Sequence, residues 1–361
     1  MSSLETRPDE VACGQPPARD GLITLITPRE VPLGGPRAMR VRRTLPARGR
    51  TMIGAWCFVD HYGPDEIATS GGMVVPPHPH TALQTVSWLF SGLIEHRDST
   101  GVRALVRPGE LNLMTAGYGV SHSEVSVTSA EAAEGGEVPT VLHGAQLWVA
   151  LPTEHSEVAP AFEHFAPEPL AVEGARVSVF LGELGVGHDH GPGASDRLSS
   201  PVTTYTPLLG AEIVLEPGAG LELGVDPDFE HGVLVDHGSI TVGGGVIGGG
   251  GDGEAGGDDG VEVARAELAH LASGRDRLRL VAGPDPAGTR VLLIGGPPFG
   301  EQIVMWWNFI GRSHDDIVAA REAWQTELSH APQGRFGAVD YPDGTSLPAP
   351  DLPPLRLRPR G

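Results

Sequence analysis

Over the first 300 residues the apolar positions rarely keep a helical period and instead gather in short runs rich in Val, Ile, Leu and Thr. The runs are "TALQTVSWLF", "VRALVRPGELNLM", "TVLHGAQLWVAL", "ARVSVFLGEL", "AEIVLEPGAGLEL", "HGVLVDHGSITV", "RDRLRLVA" and "TRVLLIGG", punctuated by Gly and Pro. Short β-prone runs between turn residues predict β-strands, and a long succession of them predicts an all-β protein of antiparallel sandwiches or barrels. The runs divide at a polar, proline-containing stretch, "PTEHSEVAPAFEHFAPEP". Two β-domains are therefore expected, residues 20–152 and 168–312, joined by a linker at 153–167. They share a strand–turn–strand plan, as distant repeats would. One helix is expected, over "SHDDIVAAREAWQTEL" from Ser313 to Leu328. Ser313 suits its N-cap, Asp315 and Asp316 its first turn, and Ile317, Ala320 and Trp324 share a face. The rest of 313–361 is proline-rich and should run extended. The acidic, glycine-rich stretch 243–260 reads as a loop between strands, because ordering it would recover little apolar surface.

Composition narrows the function classes. The chain has 361 residues, 40% of them hydrophobic, and a net charge of −21. Such acidity argues against general nucleic-acid binding, which needs basic patches; the local exception, Arg37 to Arg50, reads as solvated strand and loop charge. No apolar run is long enough to cross a bilayer. The opening "MSSLETRPDE" lacks the basic-then-apolar order of a secretion signal. Cys13 and Cys57 are too few for a disulfide framework, so a reducing cytoplasm is the expected compartment and Cys57 an expected core residue.

Candidate chemistry begins at "VVPPHPHTALQTVSW", where His78 and His80 stand two apart at the start of a strand run. Residues i and i+2 of a strand lie on one face, about 6.5–7 Å apart, so both rings can turn toward one small object. A second such pair, His122 and Glu124, follows in "VRPGELNLMTAGYGVSHSE". Three histidines and a carboxylate on neighbouring strands would make a mixed N/O site for a first-row divalent metal. His188 and His190, in "GHDHG", have the same spacing but sit among glycines and read as loop. Trp306, Trp307 and Phe309, close together in "EQIVMWWNFIGR", are expected to be buried between the two barrels; exposed, they would mark a partner surface.

At these residues the chain resembles a known family. "GAWCFVDHYGP", "HPHTALQTVSWLFSGLIEHRDSTG", "RPGELNLMTAGYGVSHSE" and "GGPPFGEQIVMWWNFIGR" look like pirin, the two-domain branch of the cupin superfamily. The resemblance implies a bicupin: two antiparallel β-barrels of double-stranded β-helix (jelly-roll) type, packed face to face, with metal in the first only. Carried over, the metal ligands are His78, His80, His122 and Glu124. The implied cofactor is one divalent transition-metal ion, Fe(II) foremost, with Ni, Cu, Mn, Co and Zn as alternatives. The implied activity is that of a quercetin (flavonol) 2,3-dioxygenase, taking an aromatic flavonol-like substrate and O2, with Glu124 as general base. The alternative is a metal- or redox-sensing regulator that binds a protein partner. Thr81, Ala82, Leu83, Gln84 and Tyr118 depart from the family pattern. Gln84 falls where other cupins keep a glutamate ligand, so these positions are expected to bear on substrate preference.

Overall fold

The computed structural model describes residues 23–33, 39–129, 136–187, 197–244, 260–330, 334–342 and 344–361. Cys13, the His188/His190 pair and most of the 243–260 stretch lie outside them. The first half runs β1 (Ile23–Ile26), β2 (Arg29–Leu33), β3 (Met39–Leu45), β4 (Trp56–Glu66), a one-turn helix α1 (Ile67–Ser70), β5 (Val74–His80), β6 (Leu83–Ser91), β7 (Ile94–Asp98), β8 (Arg103–Val106), β9 (Leu111–Thr115), β10 (Val120–Ser126), β11 (Val141–Ala150) and β12 (Ala161–Phe165). The second runs β13 (Leu170–Val172), β14 (Ala175–Leu181), β15 (Glu183–Val186), β16 (Arg197–Ser199), β17 (Leu209–Leu215), β18 (Gly220–Gly224), β19 (Glu230–His237), β20 (Ile240–Gly243), β21 (Val261–Val263), β22 (Leu268–Leu271), β23 (Arg277–Ala282) and β24 (Thr289–Gly296). A hairpin, β25 (Val304–Trp306) and β26 (Phe309–Gly311), and the helix α2 (His314–His330) follow.

Each half is a sandwich of two antiparallel sheets. In the first, the order β12-β9-β6-β11-β4-β3-β2 faces β5-β10-β7-β8; in the second, β1-β22-β19-β24-β17-β14-β13 faces β16-β15-β18-β23-β20-β21. The shared order, β9-β6-β11-β4-β3 against β22-β19-β24-β17-β14, makes the halves repeats of one plan, the bicupin architecture expected from the sequence. Alternation along the strands builds two kinds of core. On β19, Val233 and Val235 point into the second sandwich, whereas Leu234 joins Trp56, Trp88, Phe180 and Ile294 between the halves. There Trp88 stacks on Phe180 at 4.5 Å and donates its indole N–H to Glu212 (2.7 Å).

Chain ends cross between the halves. Strand β1 pairs with β22, in the second half's sheet, although it precedes the whole first half in sequence. The C-terminal hairpin and helix pack on the first half. Ile317, Ala320 and Trp324, the predicted apolar face, share a core with Tyr62, Leu89 and Ile94. The Ser313 hydroxyl accepts from the Asp316 N–H, as an N-cap should. Trp306, Trp307 and Phe309 are buried, but in this core beneath the helix rather than between the barrels. The hairpin holds them there by a bridge from Phe309 to Thr81. Among its described residues the tail after α2 forms no helix or strand, and the Leu347 N–H bonds the Pro77 carbonyl on the outer edge of β5.

Candidate metal centre

Strand β5 carries His78 and His80, and β10 lies antiparallel beside it with His122 opposite His78. The turn into β10 depends on Gly117, whose φ is +50° and where a Cβ would stand 1.8 Å from the Val158 carbonyl oxygen. The three imidazoles turn inward together. Their ring centroids lie 4.4–5.0 Å apart, and one ring nitrogen from each falls within 4.8 Å of the others. His80 and His122 approach most closely, Nε2 to Nε2, at 3.1 Å. That is close to the ~3 Å between neighbouring ligand atoms held at ~2.1 Å bonds around one ion.

The outer ring nitrogens are committed elsewhere. His78 Nδ1 donates to the Pro76 carbonyl (2.9 Å) and His80 Nδ1 to the Asn308 carbonyl (3.0 Å). A carbonyl only accepts, so each Nδ1 carries its ring's hydrogen and each Nε2 keeps a lone pair. His122 Nδ1 meets His96 Nδ1 at 3.4 Å, and His96 Nε2 meets Asp98 Oδ2 at 3.1 Å. Burial pushes His78 down to about 3 and His80 and His122 well below their ordinary values, so all three are neutral at pH 7. His78 and His80 thus turn bare nitrogens inward, and His122 brings a third ring nitrogen to the same point. The donor set therefore fits a metal ion.

Glu124 shares the pocket but stands beside the imidazole cluster rather than within it. The pairing of β10 with β5 shifts between His122 and Glu124. The Ser87 hydroxyl holds the carboxylate at Oε1, 3.3 Å away, and lies 3.2 Å from the Gln146 side-chain oxygen. Burial raises Glu124 above the ordinary carboxylate range. Phe58 and Trp148, stacked at 4.2 Å, form an apolar wall with Leu33 and Val75.

The positions that depart from the family pattern lie outside this lining. Gln84 faces the seam between the halves, where its amide donates to Thr115 Oγ1 (2.9 Å) and the Thr203 carbonyl (3.2 Å). It is not beside the imidazoles, as its alignment with a cupin ligand suggested. Thr81 bonds the Ile310 carbonyl, and Tyr118 is 41% exposed. Cys57 is a core residue: burial pushes its thiol up to about 12.

The sequence reading passed over two groups. One is His96 and Asp98, which carry the same two-residue spacing as His78 and His80. The other lies at the seam, where His61 Nε2 (2.7 Å) and His143 Nε2 (2.5 Å) both reach Asp236 Oδ1 from the opposite half. Arg42 Nε donates to His61 Nδ1 (3.3 Å), so His61 Nε2 bears the hydrogen and donates in turn. Arg290 holds the other carboxylate oxygen at 3.3 Å. This group is a hydrogen-bonded clasp: burial opposes ionisation of Asp236, but the bonds from His143 and His61 keep it well below its ordinary value. No local signal links residues so far apart.

In the second half, the strand pair matching β5–β10 is β18–β23. Its inward positions are Leu221, Leu223, Leu278 and Leu280, paired Leu221 with Leu280 and Leu223 with Leu278. Leucines there offer no donor atoms, so of these two strand pairs only β5–β10 can hold a metal.

Comparison with known proteins agrees with this architecture. The Pirin family model matches residues 38–149, and the Pirin C-terminal cupin domain model matches 210–329. A Pseudomonas aeruginosa protein whose name provisionally makes it a quercetin 2,3-dioxygenase is 40% identical over 98% of both chains. A pirin-like protein of Caulobacter vibrioides is 32% identical over 86% of this chain and 94% of its own. The crystal structure of an Acinetobacter baumannii quercetin 2,3-dioxygenase superposes with a TM-score of 0.75 at 34% identity, covering 93% of this chain and 97% of that one. Two matched domains in sequence order, with the inward-facing histidines inside the first, place the chain in the pirin family of two-domain cupins.

Proposed function

We propose that the first barrel holds one divalent transition-metal ion, Fe(II) foremost, on His78, His80 and His122 with Glu124 beside them, and that the protein is a flavonol dioxygenase of quercetin type. The observation that carries the metal reading is the convergence of three buried, neutral imidazoles on one point, two of them, His78 and His80, with their hydrogens used on the far side of the ring. The substrate reading is supported by the names of the Pseudomonas and Acinetobacter relatives. The metal, when bound, would supply a Lewis-acid and redox centre for substrate oxygens and O2. Glu124 accepts the flavonol hydroxyl proton, and its raised basicity suits it to that task better than an exposed carboxylate. Ser87 fixes the direction of the carboxylate. Phe58 and Trp148 give a planar ring an apolar surface and keep water from the proton being moved.

Protein loaded with Fe(II) should bleach the flavonol absorption band with stoichiometric O2 uptake, and His80→Ala should lose both metal and activity. An unchanged band under oxygen, with metal bound, overturns the substrate reading and leaves the metal reading standing. The regulator alternative would have to use the acidic surface or the second half, because Trp306, Trp307 and Phe309 are buried and offer no exposed aromatic patch. Among the described residues no helix is long and apolar enough to cross a membrane. The cytoplasm is the proposed compartment.

A further inference from the structure

We infer that Asp98, acting through His96, sets the tautomer of His122 and thereby the metal affinity of the pocket; the inference rests on the metal reading above. His78 and His80 are anchored by carbonyl oxygens, which leave each ring one choice. His122 has no such anchor. Its Nδ1 faces His96 Nδ1 at 3.4 Å, and an imidazole nitrogen can either donate or accept. Left alone, that pair would allow His122 to place its hydrogen on Nε2, against the incoming metal.

Asp98 removes the choice. Its Oδ1 is filled by Thr100 N–H (2.8 Å), Thr100 Oγ1 (2.6 Å) and Val102 N–H (3.3 Å), leaving Oδ2 for His96 Nε2 at 3.1 Å. A carboxylate only accepts, so His96 Nε2 carries the hydrogen, and in the neutral ring His96 Nδ1 then offers a lone pair. His122 Nδ1 must then donate, and His122 Nε2 is left bare toward His80. The three groups sit on adjacent strands, with Asp98 opposite His122 and His96 opposite Glu124 across β7 and β10. His96 and Asp98 are both buried, and Phe162 packs on the His96 ring at 4.9 Å. Asp98 and His96 are positioning residues: neither touches the metal or substrate.

The decisive variant is Asp98→Asn. Three donors at the turn hold the amide oxygen where Oδ1 stands, so the NH2 faces His96 Nε2. That donor needs a lone pair, which moves the His96 hydrogen to Nδ1 and the His122 hydrogen to Nε2. The same logic makes an Asp-to-Asn change ruinous where a carboxylate fixes a catalytic histidine. Thr100→Val is the control, since it removes a turn bond but keeps the carboxylate. Two readouts apply: Ni(II) affinity by competition with a chromophoric chelator, and 15N imidazole shifts of the metal-free protein.

Asp98→Asn should bind Ni(II) at least about tenfold more weakly, the loss expected of an outer partner of a metal-binding histidine. Its His122 Nε2 should be protonated, whereas in the wild type and Thr100→Val it is bare and affinity is retained. Equal affinity in Asp98→Asn with a bare Nε2, or an equal loss in Thr100→Val, overturns the inference. A wild-type His122 found with hydrogen on Nε2 also overturns it, and needs no variant to fold. Failure of the wild type to bind Ni(II), with Nε2 bare, instead counts against the metal reading alone.

Discussion

Single side chains in this pocket have separable jobs. Glu124→Gln keeps the size and burial of Glu124 but cannot accept a proton, so flavonol turnover should fall by about 10²–10⁴-fold. The three histidines should still bind metal; initial rates and metal content measured on one sample check both. Burial also makes histidines sensors of acid. His231, inside the second half, finds no hydrogen-bond partner for either ring nitrogen among the described residues, and burial pushes it down to about 3. Below its unfolded value of about 6.5, the unfolded chain takes up a proton that the folded chain refuses. Stability from this group is therefore complete above about pH 6.5 and falls as pH drops toward 3. His78 acts in the same direction in the metal-free protein. Urea unfolding across pH 4–8 should show decreasing stability toward acid; a flat profile would contradict the burial of these rings.

At the level of strands and helices, the C-terminal region is a brace for the first half. The Asn308 carbonyl orients His80, the Phe336 carbonyl accepts from Ser121 on β10, and Leu347 bonds Pro77 on β5. Trp324 anchors the brace, buried and donating its indole N–H to the Leu347 carbonyl (2.8 Å). Trp324→Ala should cost about 3–5 kcal/mol, read by denaturant midpoint. Metal affinity should weaken with it, because the outer edge of β5 loses its support. The β-prone runs, the helix face and the His78/His80 and His122/Glu124 pairs were legible in sequence because each is a local regularity. The misplacement of Gln84 has an equally physical origin. Both faces of β6 are buried, so alternation tells that Gln84 and Val86 share a side but not which side holds the imidazoles. Partners distant along the chain, such as β1 with β22 or Phe309 with Thr81, leave no local trace.

For the molecule as a whole, the seam between the halves is a core rather than a contact of two finished surfaces. Trp56 donates to the Gly295 carbonyl (3.1 Å), Trp88 to Glu212, and Arg50 pairs with Glu230 (3.3 Å). There the Asp236 clasp leaves His61 and His143 dependent on one carboxylate, which Arg290 also holds. Asp236→Ala should destabilise the protein by about 3–5 kcal/mol, since it strands buried partners without an acceptor. Unfolding should stay a single transition by fluorescence and by circular dichroism. Two separated transitions would mean that the halves fold independently.

The crossing of the chain ends has a consequence in time. A ribosome makes residue 23 long before residues 308, 336 and 347, yet the imidazole pocket draws on the later ones to fix its edges. Strand β1, though made early, waits for β22 before it has a partner. Nascent chains arrested before the hairpin should therefore retain nickel or iron less well than chains that extend past residue 347.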